Sequence, residues 1–249
     1  MKSSRRPRQT PPDGYTLLFY GSALWLLPFL RDKIPYDPVK DFAAVTLTVN
    51  SPNVVAVHPS LAAGSVKELI ALAKSKPGQL NYASGSTGSS NHLAAELFSS
   101  MAGVNIVRIT YKGAGAALND LIAGQIQLML PNAAAVIPHV KTGRIRALAV
   151  TSLRPSALMP GFPAVAESGL PGYESGSILS VFAPGKTLAA LINHINREIV
   201  QVISRPDVKE KFFSAGSEVI ASSPNELDAV RKSDMAKLGK LIRDVGIRE

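Results

Sequence analysis

The chain has 249 residues, 46% of them hydrophobic and 18% charged, a globular balance that excludes intrinsic disorder and fibrous architectures. It contains no cysteine, which removes disulfide scaffolds, thiolate zinc sites and cysteine nucleophiles. The formal charge is +9, but residues 1–8 carry four bases and no acid while aromatics make up only 6%, so the folded part lacks the base-and-aromatic signature of a nucleic-acid surface.

Residues 1–10 form a basic tail that runs into Pro11, Pro12, Asp13 and Gly14, which is turn chemistry rather than the core of a secretory signal. The apolar stretch 17–30 is broken by Gly21, Ser22 and Pro28 and is shorter than the roughly 20 residues a membrane span needs. It reads as a strand over 15–20, a glycine turn and a short buried helix. Two β-branched runs, 45–49 and 54–57, flank Asn50, Ser51, Pro52 and Asn53, a break where the chain is expected to pass between domains.

Ser65 and Glu68 form a capping box ahead of a helix over 66–75. From there strand and helix signals alternate. A strand at 80–83 enters the run 84–91, followed by a helix over 92–101 that stops at Gly103. A strand over 104–111, a glycine turn at 112–115 and a helix over 116–123 come next. The series continues with a strand at 126–130, a helix at 134–141 and a strand at 147–151. This is the α/β pattern of a sheet with helices on its faces. Residues 154–176 are crowded with Pro and Gly, and a return strand follows at 178–183. Leu188, Leu191, Ile192, Ile195, Ile199 and Val202 then line one stripe of a helix, and Pro206 and Ser223 open two more.

The segment 84–91 is built of Gly, Ser, Thr and Asn and opens a helix directly behind a strand. Backbone N–H groups and the helix dipole converge at such a place, so an anion binds there without a cation. The hydroxyls of Ser86, Thr87, Ser89 and Ser90 add neutral donors, whereas plain helix capping needs only one such residue. Enzyme motifs do not fit: no lysine completes a P-loop, no G-x-S-x-G forms a nucleophile elbow, and no third glycine completes a dinucleotide fingerprint. Of the four histidines, His92 is placed to face a ligand, and the alternative for it is a structural role. No metal-ligand spacing is present. From residue 97 to 166 the only acid is Asp120, against Arg108, Lys112, Lys141, Arg144, Arg146 and Arg154, a bias that favours anions.

These segments carry a family resemblance. PDGYTLL at 12–18, NYASGSTGSSNHL at 81–93, YKGAGAALNDLIAGQ at 111–125, ALAVTS at 147–152, VAESGLPGY at 165–173 and APG at 183–185 resemble, in order and spacing, the solute receptors of tripartite tricarboxylate transporters, the Bug-type receptors. The resemblance implies a type II periplasmic binding protein fold, with two lobes around a ligand cleft. Lobe 2 would be residues 53–176, and lobe 1 would be 11–52 together with 177–249. It implies a periplasmic, monomeric, non-enzymatic receptor without a cofactor. Such a receptor binds a small carboxylate (a di- or tricarboxylate or an acidic amino acid) and delivers it to membrane transporter subunits. Ser86, Thr87, Gly88, Ser89 and His92 would face the ligand with Gly113, Ala114 and Ala116, and the opposite lobe would supply Gly21 and Ser22.

The chain departs from the family pattern at its start. Two glycine-loop β-α sections that precede the PDGY motif are missing, roughly 60 residues, so lobe 1 is expected to be incomplete and the basic tail matches nothing. The family's Trp near Ser177, Gly near Ser180 and Pro at Leu188 are also replaced. Two alternatives stay open: a truncated remnant that binds nothing, and a small-molecule enzyme on the same fold.

Overall fold

A computed structural model describes residues 10–248; the basic tail expected at the start lies almost wholly outside the described residues. The chain divides into two compact units, one formed by residues up to Asn50 with those from Ile178 onward, the other by Ser51–Ser177.

The first unit holds a four-stranded sheet in the order β1 (Leu18–Gly21), β8 (Gly176–Pro184), β2 (Phe42–Pro52), β9 (Glu218–Val219). β1 runs antiparallel to β8, pairing Leu18 with Phe182 and Gly21 with Leu179. It starts later than the sequence pattern suggests, because Asp13 accepts the Tyr15 N–H at 3.1 Å and folds the preceding residues into a turn. As an edge strand, β1 leaves Phe19 and Tyr20 exposed. Helix α1 (Ala23–Leu30) contains Pro28, which cannot donate to the carbonyl four residues back. The Tyr36 hydroxyl donates to that carbonyl, Leu24 O, at 3.0 Å. Trp25 is fully buried, meets Phe182 edge-on with ring centroids 6.0 Å apart, and donates from its indole N–H to Asp234 at 3.2 Å.

The helices α6 (Ala189–Ile203), α7 (Pro206–Ser214) and α8 (Pro224–Asp244) belong to the same unit. α8 starts with a full capping box between Ser223 and Glu226. Its buried Arg231 donates to Pro38 O at 2.8 Å and Phe42 O at 3.0 Å and is paired with Asp228.

β2 does not stop at the expected break. It runs on through Ser51 and Pro52, and β3 (Val54–Val57) follows within two residues. The physical reason is local: a residue before proline is confined to extended backbone, and proline's fixed φ is itself compatible with a strand.

The second unit holds a five-stranded mixed sheet in the order β5 (Val107–Thr110), β4 (Asn81–Ser84), β6 (Leu128–Met129), β3, β7 (Arg146–Val150). β4 is parallel to both β5 and β6, and β3 is antiparallel to β6 and β7. Each parallel strand is followed by a helix: α3 (Ser90–Ala102) after β4, α4 (Ala114–Ile122) after β5, and α5 (Ala133–Lys141) after β6. These three helices pack against the sheet, and α2 (Val66–Ser75) packs against the turn Val165–Ser168. Ala117 and Leu121 of α4 and Ala133 and Val136 of α5 bury one face with Val54, Ala56, Ala83, Met129 and Val150. On the other face Tyr82 reaches α3, and Tyr173, also buried, donates its hydroxyl to Ala94 O at 2.9 Å and packs edge-on against Phe98.

Gly185, in the APG segment, has no room for a side chain: a Cβ there would lie 1.9 Å from Lys40 O and 2.9 Å from the Asp41 carbonyl carbon. Gly185→Ala is therefore expected to destabilise the protein by about 3 kcal/mol, read as a lowered urea midpoint.

Candidate functional site

The loop between β4 and α3 is folded by one bond of its own and by the first turn of α3. The Asn91 carboxamide oxygen accepts the Gly85 N–H at 3.4 Å and the Ser89 hydroxyl at 2.6 Å, and Ser86 O accepts the Ser89 N–H at 3.1 Å. Gly88 sits at φ +75°, a conformation that glycine adopts without steric cost. Its N–H donates to His92 Nδ1 at 3.0 Å. These bonds use the N–H groups of Gly85, Gly88 and Ser89, so the N–H donors left over among the described residues are those of Ser86 and Thr87 in the loop and of Ser90, Asn91 and His92 in the first turn of α3.

His92, expected to face a ligand, is turned inward. It is only 1% exposed, its Nδ1 accepts from Gly88, and its Nε2, which therefore carries the ring proton, points at Glu96 Oε1 3.6 Å away. Its role in the structure is to hold the loop. Ser89's hydroxyl is likewise spent on Asn91, while Ser86 is exposed and Thr87 and Gly88 are half-buried.

A third support comes from β5. Arg108 donates from Nε to the Ser84 hydroxyl at 2.7 Å, from one terminal nitrogen to Gly85 O at 3.1 Å and from the other to the Thr87 hydroxyl at 3.3 Å. The sequence marked Arg108 only as one of six bases on an acid-poor stretch. Its reach follows from strand register, which nothing local in the sequence reveals.

At the end of β5 the chain enters α4 two residues earlier than its pattern suggested. Gly113 is the extended N-cap, and Ala114 and Ala116 lie in the first turn, both exposed. Ser84 is in register with Thr110, so α3 and α4 begin at the same sheet edge, and α5 begins there too, behind β6. None of the three helices has an acidic residue in its first turn. Their partial positive ends thus remain uncompensated. Gly21 and Ser22 lie in the other unit. Gly21 ends β1 against Ile178 O, 2.9 Å from where a Cβ would stand, and Ser22 is the N-cap of α1, its side chain making no capping bond.

The titrating groups near the loop are tied to one another. Burial would raise the Glu96 carboxyl, but His92 and the Tyr82 hydroxyl, which donates to it, together with Arg108, hold it below its usual value near 4.5. Tyr82 is pushed far up, first by burial and then by Glu96. Asp120 accepts the Tyr111 hydroxyl at 2.7 Å; burial and this bond push Tyr111 up to about 12. Among the described residues no group of His, Asp or Glu is placed to hold a metal ion, and no helix is long and apolar enough to cross a membrane.

Asn53 was read only as part of a break. It is fully buried at the same edge, bridged to the α5 N-cap Asn132, and neither polar atom of its carboxamide has a partner among the described residues. Its backbone is saturated by Thr151, which donates N–H to Asn53 O at 2.9 Å and accepts the Asn53 N–H at 2.8 Å through its hydroxyl.

Over residues 4–247 the chain matches the model of the tripartite tricarboxylate transporter family receptor. It is 33% identical over 235 residues to the UPF0065 protein in the tcbD-tcbE intergenic region of Pseudomonas sp. (strain P51), covering 94% of this chain and 70% of that protein. Protein BugT of Bordetella pertussis (strain Tohama I) is 32% identical, over 95% of this chain and 73% of its own length. Among solved structures, that of R. palustris Rpa4515 with adipate is similar, with a TM-score of 0.82 at 32% identity, covering 96% of this chain and 81% of that one. The fold is α/β, as the strand and helix pattern implied, and of the type II periplasmic binding protein kind that the family resemblance implied.

Two outcomes follow from the local chemistry. Because Glu96 ionises more readily in the folded protein, its contribution is complete above about pH 4.5 and fades as pH falls through its lower folded value. Thermal melts of Glu96→Gln and the parent from pH 7 to 3 are expected to differ most at pH 7 and to converge in acid. Asn53→Val removes a buried unpaired amide from a strand-like position and is expected to stabilise the chain by about 1 kcal/mol, measured by urea unfolding.

Proposed function

The chain belongs to the receptor family of the tripartite tricarboxylate transporters, and from that premise we propose that it is a periplasmic solute receptor. Its ligand is a small carboxylate, a di- or tricarboxylate or an acidic amino acid, which it presents to the membrane subunits of such a transporter. The observation that carries this reading is the shared edge of β4, β5 and β6. Three helices start there without an acidic side chain in their first turns, behind a loop built from neutral hydroxyls and glycine. Backbone donors of this kind hold a carboxylate by charge and shape without transforming it. The ring nitrogens of His92 are turned on Gly88 and Glu96, which supports a binding protein over an enzyme.

We assign ligand contact to Ser86 and Thr87, to the first-turn N–H groups of α3, and to Gly113, Ala114 and Ala116; the site needs no cofactor. Adipate in the structure of the R. palustris relative, at 32% identity, supports the dicarboxylate class.

Titration calorimetry and thermal melts against adipate, malate, citrate and glutamate, with acetate and inorganic phosphate as controls, test the proposal. At a hundredfold excess over Kd, a ligand that binds the native state adds about 2.7 kcal/mol, so at least one di- or tricarboxylate or acidic amino acid is expected to raise the melting temperature by several degrees. Absence of heat and of any shift with the whole panel overturns the carboxylate reading.

A further inference from the structure

The bonds of Arg108 assign it a role beyond its charge. We propose that Arg108 is the positioning residue of the anion-binding loop: its guanidinium sets the shape of residues 84–89 and thereby the aim of the α3 N–H groups at a ligand carboxylate. The ligand part of this inference rests on the receptor reading above; the loop part does not.

Three observations carry it. First, one planar group spans three acceptors along the loop: the Ser84 hydroxyl at 2.7 Å, Gly85 O at 3.1 Å and the Thr87 hydroxyl at 3.3 Å. A guanidinium presents its donors as a fixed fork, so these three positions are held relative to one another; a lysine ammonium has the charge but not the fork. Second, the parallel register pairs Arg108 with Tyr82, two residues short of Ser84. The side chain must therefore run along the strand by roughly 7 Å, two strand residues, to reach the loop, and an arginine is long enough to do so. Third, among the described residues the loop has no sheet partner past Ser84, and its other ties come from α3, through Asn91 and His92. Arg108 is the tie from the sheet side.

The surroundings of Arg108 are consistent with positioning. Glu96 of α3 lies close enough to feel its charge, as does Tyr82 of β4. Yet among the described residues Arg108 makes no ion pair within 4.0 Å with a carboxylate, and all three of its described bonds go to neutral oxygens of the loop. The half-buried guanidinium thus spends its hydrogen bonds on loop shape rather than on neutralisation.

The test uses the full chain and reads the loop directly. Amide hydrogen exchange is measured for the parent, Arg108→Gln, Arg108→Lys and Arg108→Ala, comparing the 84–92 segment with β3 and β7. The expected result is exchange at least tenfold faster in 84–92 for Arg108→Gln, a smaller rise for Arg108→Lys, and unchanged protection in β3 and β7. Millimolar methylguanidinium is expected to slow exchange again in Arg108→Ala only. Parent-like protection of 84–92 in Arg108→Gln overturns the proposal. So does loss of cooperative folding in all three variants, which would make Arg108 a residue of the core. With adipate as the probe, Kd is expected to rise at least tenfold in Arg108→Gln and less in Arg108→Lys; an unchanged Kd overturns the ligand part. Should the parent bind no carboxylate at all, the receptor reading falls, while the exchange data still decide the role of Arg108.

Discussion

Two parallel strands in one sheet must both end at the same edge, and the chain that leaves each has to return by a crossover. β4, β5 and β6 obey this constraint, and the crossovers are the helices α3, α4 and α5. Their N-termini consequently gather at one edge, each with free N–H groups that the helix cannot satisfy. Acidic first-turn residues would stabilise such helix starts by offsetting their partial positive charge. Here the first turns hold none. The local composition that looked like a cradle in the sequence is thus the visible part of an arrangement set by strand direction.

Free donors become a site only if they keep one geometry, because a loose loop would lose in ordering what it gained in contact. The 84–89 loop has little intrinsic stiffness, being rich in glycine and serine. Its order comes from outside: Arg108 from β5, and Asn91, His92 and Glu96 from α3, with Tyr82 of β4 closing the network. His92 illustrates how environment decides a role. The same imidazole that would serve a ligand on an open helix start is here fully covered, and its acceptor nitrogen completes a backbone bond at a positive-φ glycine.

The first unit solves a different problem, that of polar groups inside an apolar core. Pro28 deprives Leu24 O of its helical donor, and Tyr36 replaces it. Trp25 is buried with its indole N–H satisfied by Asp234, and Arg231 is buried against two carbonyls and Asp228. Apart from Arg231–Asp228 on one helix, each is a long-range pairing, and buried polar groups left without a partner would cost about 1 to 3 kcal/mol apiece. The pairing is not complete: Arg231 Nε in the first unit and both polar atoms of the Asn53 carboxamide in the second have no such partner among the described residues.

Much of this molecule was legible in its residue order. The alternation of strand and helix signals, the N-cap at Ser65, the capping box at Ser223, and the neutral loop ahead of α3 are local properties, written in turn chemistry and in the spacing of apolar positions; of the box expected at Ser65 only the cap forms, since Glu68 turns to the Gly64 N–H. So is the family, through motifs that recur in order. Other features departed from the expected element bounds. β2 runs through Pro52 where a break was expected, β1 begins three residues late, and α4 takes in Ala114 and Gly115. Above all, the sequence by itself determined that an anion cradle could form at residues 84–91, whereas tertiary structure decided that His92 supports it and that Arg108 shapes it. Strand register and burial make that difference, because they set which side chains meet across 24 residues of chain, and no local pattern encodes them.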